Sequence, residues 1–200
     1  MKKSMYVIAL SVLFLSACKN DKKQTESSDV HMEEADGHQQ NDMNNATMQD
    51  TDSIISQKNE NLSEIIDAYL LLKNALTEDS KDKAAEAGNS VLTAFANFDM
   101  SKLSGDQHGT YMEIMENSKE HAEHIIESPI DHQREHFEEL SKDVNDLIEL
   151  IGTDKTLYQD FCPMYNNNKG AMWLSETETI KNPYLGTKMP TCGKMQKKIN

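Results

Sequence analysis

The sequence lacks several features that identify common classes of protein. It has no glycine-rich phosphate loop, no Gly-x-Ser-x-Gly and no His-Glu-x-x-His pattern, which argues against the enzymes that use them. No stretch after residue 18 is apolar for long enough to span a membrane. Basic residues are few, since 20 lysines and arginines stand against 34 acidic residues, and the net charge is -14. We therefore expect no enzymatic activity and no nucleic-acid partner, and an acidic surface that attracts cations.

The first eighteen residues have the pattern of a bacterial lipoprotein signal. Two lysines are followed by an apolar core over residues 5–15, and the segment ends in Leu15-Ser-Ala-Cys18. Cleavage before Cys18 would leave that residue as a lipid-carrying N-terminus, and two acyl signals anchor stably where one does not. We predict a signal peptide over residues 1–17 and a chain held to a membrane of the cell envelope. The periplasmic face of the outer membrane is favoured.

Residues 18–52 are predicted to form a disordered tether that begins at the lipidated Cys18. Beyond Cys18 the segment has almost no aliphatic residues and no aromatic ones, so it cannot bury enough apolar surface to offset the entropy of ordering. The rest of the chain then stands clear of the membrane on a flexible linker.

Residues 53–152 show the spacing of amphipathic helices four times. The apolar positions recur three and four residues apart in segments at about 54–77, 80–98, 104–127 and 129–151. Four such helices joined by short turns predict an all-α fold, an up-and-down four-helix bundle. After Gly152 the helical period disappears, and we predict that residues 153–200 form an irregular excursion packed on the bundle as part of the same domain. Its aromatic residues are predicted to be structural: Phe161, Trp173 and Tyr184.

Sulfur-containing residues are concentrated in this C-terminal excursion. The sequence reads Cys162-Pro-Met164 and then Met189-Pro-Thr-Cys192-Gly-Lys-Met195. Thiolate and thioether sulfur are soft ligands that favour Cu(I) over Mg²⁺ or Ca²⁺. Turn signals between residues 160–170 and 182–186 predict that the chain returns so that Cys192 approaches Cys162. A soft-metal site is predicted from these five residues.

The same two cysteines have a second interpretation. In an oxidising compartment, a pair 30 residues apart forms an ordinary disulfide, which stabilises the fold by about 3 to 4 kcal/mol. A bonded pair offers no thiolates to a metal. The nearby methionines favour metal binding, because a disulfide does not need them, and the pair can switch between both states with redox conditions.

Several motifs resemble a known group of bacterial proteins. The run CPMY…GAMWLSET…IKNPYLG…CG, with HQREHFEELS upstream, is similar to uncharacterised lipoproteins and domains that occur free or attached to adaptor subunits of copper and other heavy-metal efflux pumps. The resemblance covers about residues 60–198. It implies a role beside heavy-metal efflux and an efflux adaptor or pump as partner. The heavy-metal segments of those systems carry CPMHP followed by CGM; here Tyr165 replaces the histidine, so one imidazole ligand of that pattern is missing.

Four histidines form secondary metal-binding candidates. His121 and His124 share a face of the third helix, and His132 and His136 share a face of the fourth. Because the helices are antiparallel, the two pairs either face each other across one groove or both point away from it. Facing pairs would suit Cu(II), Zn(II) or Ni(II). In a third arrangement one of these histidines replaces the imidazole lost at Tyr165.

The expected function is therefore a periplasm-facing lipoprotein that binds a soft metal ion, Cu(I) or Ag(I), with zinc as a further candidate. It would act as an accessory or metallochaperone to heavy-metal efflux. The alternative is a structural or interaction module closed by a Cys162–Cys192 disulfide, without metal.

Overall fold

The computed structural model describes the backbone of residues 49–200 and the side chains from residue 62 onward. The predictions for residues 1–48, which concern the signal peptide, the lipidated Cys18 and most of the tether, lie outside the described residues. The elements in chain order are α1 (Gln49–Thr77), α2 (Lys81–Asn97), α3 (Gly105–Glu127), α4 (Ile130–Ile151), β1 (Leu157–Cys162), the short helical turn α5 (Tyr165–Asn168), β2 (Ala171–Ser175) and β3 (Lys194–Ile199).

The four long helices follow the predicted apolar stripes. Consecutive helices pack against each other, and α1 also packs on α4, which is compatible with an up-and-down bundle. The stripes are buried, as Leu62, Ile65, Tyr69, Leu72 and Leu76 of α1 illustrate. Gly88 allows α2 to approach α3 closely, because a Cβ added there would lie 3.0 Å from Cγ1 of Ile126. Within residues 49–200, no helix combines the length and apolar character that crossing a bilayer requires.

The C-terminal segment, predicted to be irregular, is a small antiparallel sheet, so the all-α prediction is confirmed only in part. The strand order is β2-β1-β3, with Cys162 opposite Ala171 on one side of β1 and Phe161 opposite Lys194 on the other. Residues 157–162, which include the start of the predicted loop, form a strand. Most of β3 is exposed and rich in lysine, as is common for an edge strand. The chain is mostly helical with this sheet added.

The turn between β1 and β2 explains why the hairpin closes where it does. Asn166, Asn167 and Asn168 all have positive φ, between 50° and 64°, a conformation that asparagine tolerates better than most residues. Gly170 follows with φ 80°, and a Cβ there would collide with the ring of Phe161. The predicted turn at these asparagines is confirmed.

The sheet is held against α1 and α4 by buried contacts. The Tyr69 hydroxyl of α1 accepts a hydrogen bond from the backbone N–H of Leu174 in β2 at 3.0 Å and lies 2.9 Å from the Ser141 hydroxyl of α4. Trp173 is fully buried and lies edge-on to Tyr184, with ring centroids 6.0 Å apart. The sheet is therefore continuous with the helical core.

Candidate metal centre

The fold brings the two C-terminal cysteines together. Cys162 ends β1, and Cys192 lies in the turn that precedes β3, so the pairing of these two strands places the residues side by side. Their Sγ atoms are 3.0 Å apart, and neither residue forms a disulfide in the described part of the chain. The predicted approach of Cys192 to Cys162 is confirmed.

The two thiols have different environments. Cys162 is fully buried in the core, whereas Cys192 is partly exposed. The hydrogen bond with Cys162, and to a lesser degree burial, raise the pKa of the Cys192 thiol to about 11, although the backbone N–H of Met164 acts in the opposite direction. A metal that binds here must displace at least one thiol proton at neutral pH.

The three methionines near the cysteines lie at the surface. Their exposed fractions are 51% for Met164, 39% for Met189 and 46% for Met195. Thioethers that only filled the core would be buried, so these side chains do not serve packing. They are accessible to an ion from solvent, and the backbone links two of them to Cys192: Met164 through its N–H and Met189 through its carbonyl, which accepts from the Cys192 N–H at 3.2 Å.

The number of donors at the sulfur pair limits which metal it fits. Within the described residues, a single group of three or more His, Cys, Asp or Glu side chains has its ligand atoms within 4.8 Å of one another, and it contains neither cysteine. Structural zinc requires four such ligands, so Cys162 and Cys192 by themselves do not make a zinc site. Two sulfurs with accessible thioethers fit a low-coordinate soft ion.

The four histidines face each other across the groove between α3 and α4. The rings of His124 and His136 stack at 4.3 Å between centroids, and those of His121 and His136 are 5.4 Å apart. Ligand nitrogens of His124, His132 and His136 all lie within 4.8 Å of one another. Of the two arrangements open to the sequence, the structure has the one in which both pairs share a groove. No cysteine belongs to this group of ligand atoms.

The electrostatics of this histidine cluster favour neutral rings. Burial, as the largest cause, lowers the pKa of His121 and of His136. At His136 the neighbouring rings of His124, His132 and His121 lower it further. Neutral imidazole is the form that binds metal ions, so the lowered pKa values of His121 and His136 favour that form.

Sequence reasoning missed two buried charged residues, Lys73 and Asp160. Lys73 of α1 is almost fully buried and pairs with Glu176 at 2.7 Å. Asp160, two residues before Cys162, is fully buried, and neither of its carboxylate oxygens has a hydrogen-bond partner among the described residues; the same holds for Nε1 of Trp173 on the adjacent strand. The alternation of Tyr158, Asp160 and Cys162 was the available signal, because residues two apart on a strand share a face.

Replacing Asp160 by asparagine is expected to stabilise the reduced, metal-free protein at alkaline pH. Burial raises the pKa of Asp160 to about 6, from 3.8, so the folded state favours the protonated acid. The carboxyl therefore costs stability as the pH rises through this window, by about 2 to 3 kcal/mol once it is ionised. Urea unfolding should show Asp160→Asn more stable than the parent at about pH 8 and not at about pH 4. A gain of the same size in the exposed control Asp146→Asn would contradict this explanation.

Comparison with known proteins gives one match. Residues 65–156 match the model of a family described as "Protein of unknown function (DUF3347)". No curated protein and no solved structure matches the chain. The matched segment runs from the middle of α1 to the residue before β1 and includes all four histidines of the cluster. Cys162 and Cys192 lie beyond it, so the likeness to a family of unknown function holds for the helical part of the chain.

Proposed function

We propose that this chain is a metal-binding protein of the cell envelope that captures a soft monovalent ion, Cu(I) or Ag(I), at the Cys162–Cys192 pair and passes it to a heavy-metal efflux system. In this proposal lipid on Cys18 anchors the chain, and an up-and-down four-helix bundle carries the site. The observation that supports it is the 3.0 Å distance between two unbonded sulfurs from residues 30 positions apart.

The geometry favours an ion that needs few ligands. With a metal–sulfur distance of about 2.3 Å, two sulfurs on one ion lie about 3.8 Å apart in a tetrahedral site and about 4.6 Å apart in a linear one. The pair must therefore open by roughly 1 to 1.5 Å. Cys162 is fixed in a central strand, whereas Cys192 lies in a partly exposed turn, so the movement falls on Cys192.

Transfer to a partner suits this site better than storage. A soft ion held by two thiolates keeps free coordination positions, so an incoming thiolate or thioether can bind before the first ligands leave. The exposed Met164, Met189 and Met195, each within three residues of one of the cysteines in sequence, would provide such ligands. The acidic surface adds to the local concentration of cations. The proposal includes no catalytic step.

A structural disulfide is the second candidate, supported by the same distance. A disulfide oxidant of the cell envelope, itself reduced to a dithiol, would take two electrons and two protons from Cys162 and Cys192. The sulfurs would then move about 1 Å closer, to the bond length of about 2.05 Å. A loop of this size gains about 3 to 4 kcal/mol of stability from closure. The chain would then be an interaction module whose cysteines bind no metal.

A competition titration with Cu(I) tests the proposed metal site. The full chain is prepared reduced and free of air and titrated against chelators of known affinity, beside the Cys162→Ser/Cys192→Ser double variant. We expect the double variant to lose roughly 100-fold or more in Cu(I) affinity, since both thiolates of the site are removed. An unchanged affinity in a folded double variant would end the proposal.

Two further measurements make the test specific. Met164→Ala, Met189→Ala and Met195→Ala are each compared with Met112→Ala, because Met112 is a similarly exposed methionine on α3. Only the first three should weaken Cu(I) binding. Protein isolated without air is denatured and then labelled with a thiol reagent, because Cys162 is fully buried in the folded chain. Both Cys162 and Cys192 should be modified; complete protection of both in the denatured chain, relieved only by a reductant, would favour the disulfide.

A further inference from the structure

Four histidines of the α3–α4 groove offer nitrogen ligands that the sulfur pair does not use. The histidine cluster, defined as His121, His124, His132 and His136, is formed where α3 ends at Glu127 and α4 begins at Ile130. The short turn between the helices keeps the last turn of α3 level with the first turn of α4. The four rings are thereby fixed by the backbone of two packed helices rather than by a loop.

Three of the four rings, those of His121, His136 and His132, form a line of close nitrogen–nitrogen contacts. His136 is central: its Nδ1 lies 3.1 Å from Nδ1 of His121, and its Nε2 lies 3.1 Å from Nε2 of His132. At the far end, Nδ1 of His132 lies 2.6 Å from a carboxylate oxygen of Glu135. Because a carboxylate accepts, Nδ1 of His132 carries its proton, and Nε2 of a neutral His132 presents a lone pair to His136.

The proton on His136 can then take one of two positions. If it lies on Nε2, it is donated to His132, and the line is an uninterrupted chain of hydrogen bonds. If it lies on Nδ1, it is donated to His121, and two Nε2 lone pairs face each other across 3.1 Å. Two lone pairs at that distance repel each other unless a cation lies between them. The second state is therefore the one that a metal ion selects.

The spacing fits an ion in that position. Metal–nitrogen distances of about 2.0 to 2.1 Å place two nitrogens of a tetrahedral site about 3.3 Å apart, close to the observed separation of His132 and His136. The ligand nitrogen of the third ring, His124, falls within the same 4.8 Å group. Its ring lies stacked on that of His136, so it must rotate for its lone pair to point at the same ion. His124 and His132 are exposed, so the ion reaches the site directly from solvent.

We propose that His124, His132 and His136 bind a borderline divalent ion in the α3–α4 groove, while His121 and Glu135 act as positioning residues that fix the tautomers of His136 and His132. Carboxylates and other acceptors on the far nitrogen of a ligating histidine are the usual outer partners of such sites. Three imidazoles leave a fourth position open to water or to a ligand from a partner.

The donor type defines the class of ion. Imidazole suits Cu(II), Zn(II) and Ni(II), and without a rigid cage the order of affinity places Cu(II) above Ni(II) and Zn(II). The cluster therefore prefers borderline divalent ions, whereas the sulfur pair prefers soft monovalent ions. The site does not depend on the proposed function, since none of its ligands belongs to the sulfur pair.

The test uses the full chain with Cys162 and Cys192 replaced by serine. Metal binding at the histidine cluster is then measured without any contribution from the sulfur pair. Zn(II) and Cu(II) salts are titrated in competition with chelators. Both ions should bind with one-to-one stoichiometry, and Cu(II) more tightly. His136→Ala should reduce affinity for each ion about 100-fold, whereas His108→Ala, a histidine on α3 whose ring contacts the Met100 carbonyl, should leave it unchanged.

The positioning residues give a separate readout. His121→Ala and Glu135→Gln should reduce affinity about 10-fold each and alter the nitrogen coupling in the Cu(II) electron paramagnetic resonance spectrum while three-nitrogen coordination persists. Glu135→Asp should recover part of the loss. If His132→Ala/His136→Ala, still helical by circular dichroism, binds both ions as the parent does, the proposal is overturned. Absence of Zn(II) and Cu(II) binding in the parent would leave the cluster as a hydrogen-bonded chain only.

Discussion

Replacing Trp173 by alanine is expected to lower the free energy of unfolding by about 4 kcal/mol, since burial of a large aromatic ring is lost and a cavity remains. Trp173 is fully buried in β2 and is the largest completely buried side chain. It lies between the core and the Cys192 turn: a Cβ added at Gly193 would approach Cη2 of the indole to 2.8 Å. The cavity left by the indole therefore destabilises the part of the molecule that holds the sulfur pair.

Urea unfolding of the reduced protein measures this effect. Trp173→Phe is the matched control, because it keeps an aromatic ring at this position, and it should cost clearly less than alanine. Cu(I) binding should weaken in Trp173→Ala, whereas Zn(II) binding at the histidine cluster should persist, since α3 and α4 hold that cluster. A loss below about 1 kcal/mol would mean that the core closes around the missing ring.

The helices were predictable because their signal is local. Leu62, Ile65, Tyr69, Leu72 and Leu76 recur with the period of a helix, and each is buried where that period places it. Gly152 marks the end of α4, with φ 88°, a conformation that glycine adopts readily. This periodicity is present within each helical segment, so it can be recognised without knowing which other segments pack against it.

The sheet escaped prediction because two of its strands have no apolar alternation. In β1 the buried positions are Leu157, Tyr158, Asp160 and Cys162, so a carboxylate interrupts the apolar series and the strand does not look half-buried. In β3 nearly every side chain is exposed, and the strand is held mainly by its backbone pairing with β1. β3 is a strand because it pairs with β1, and its own residues carry no pattern that indicates this pairing.

The two candidate sites differ in how far sequence could lead to them. Turn residues on both sides of β2 predicted that Cys192 returns to Cys162, and that is what the distance of 3.0 Å confirms. For the histidines, spacing placed two pairs at the same height but left two rotations equally consistent. The choice is made by the packing of α3 on α4, which depends on core residues such as Ile125 and Phe137 and not on the histidines.

Replacing Arg134 by methionine is expected to cost about 3 kcal/mol, because this buried cation serves acceptors from three separate segments. Nε donates to the Pro183 carbonyl at 2.9 Å, and Nη2 donates to the Leu76 carbonyl at 3.1 Å and to the carboxylate of Asp79. Arg134, the only arginine in the sequence, thus ties α4 to the α1–α2 turn and to the loop that leads to Cys192. Methionine keeps most of the volume but leaves these acceptors without their donor.

A lysine at position 134 should not restore stability. Its single ammonium has no fork of fixed donors, so it cannot reach carbonyls and a carboxylate that lie in different directions. The matched control is Lys83→Met: Lys83 pairs with Glu78 at 2.8 Å on the surface, where solvent screens an ion pair so that it contributes little to stability. If Arg134→Met costs no more than Lys83→Met in urea unfolding, the buried contacts do not hold the segments together.

Acid unfolding adds a signature of the same contact. Asp79 accepts from Thr187 and from Arg134, and these bonds, with Thr187 as the largest cause, lower the pKa of its carboxyl to about 2 from 3.8. Because its pKa is lowered on folding, ionised Asp79 stabilises the fold at pH values above its pKa in the unfolded chain. This contribution disappears as the pH falls toward its pKa in the folded protein. Without Arg134 the pKa of Asp79 moves back toward its ordinary value. The stability of Arg134→Met should therefore fall less steeply than that of the parent between about pH 4 and pH 2. The losses in unfolding free energy caused by Arg134→Met and by Asp79→Asn should also not add when the two substitutions are combined.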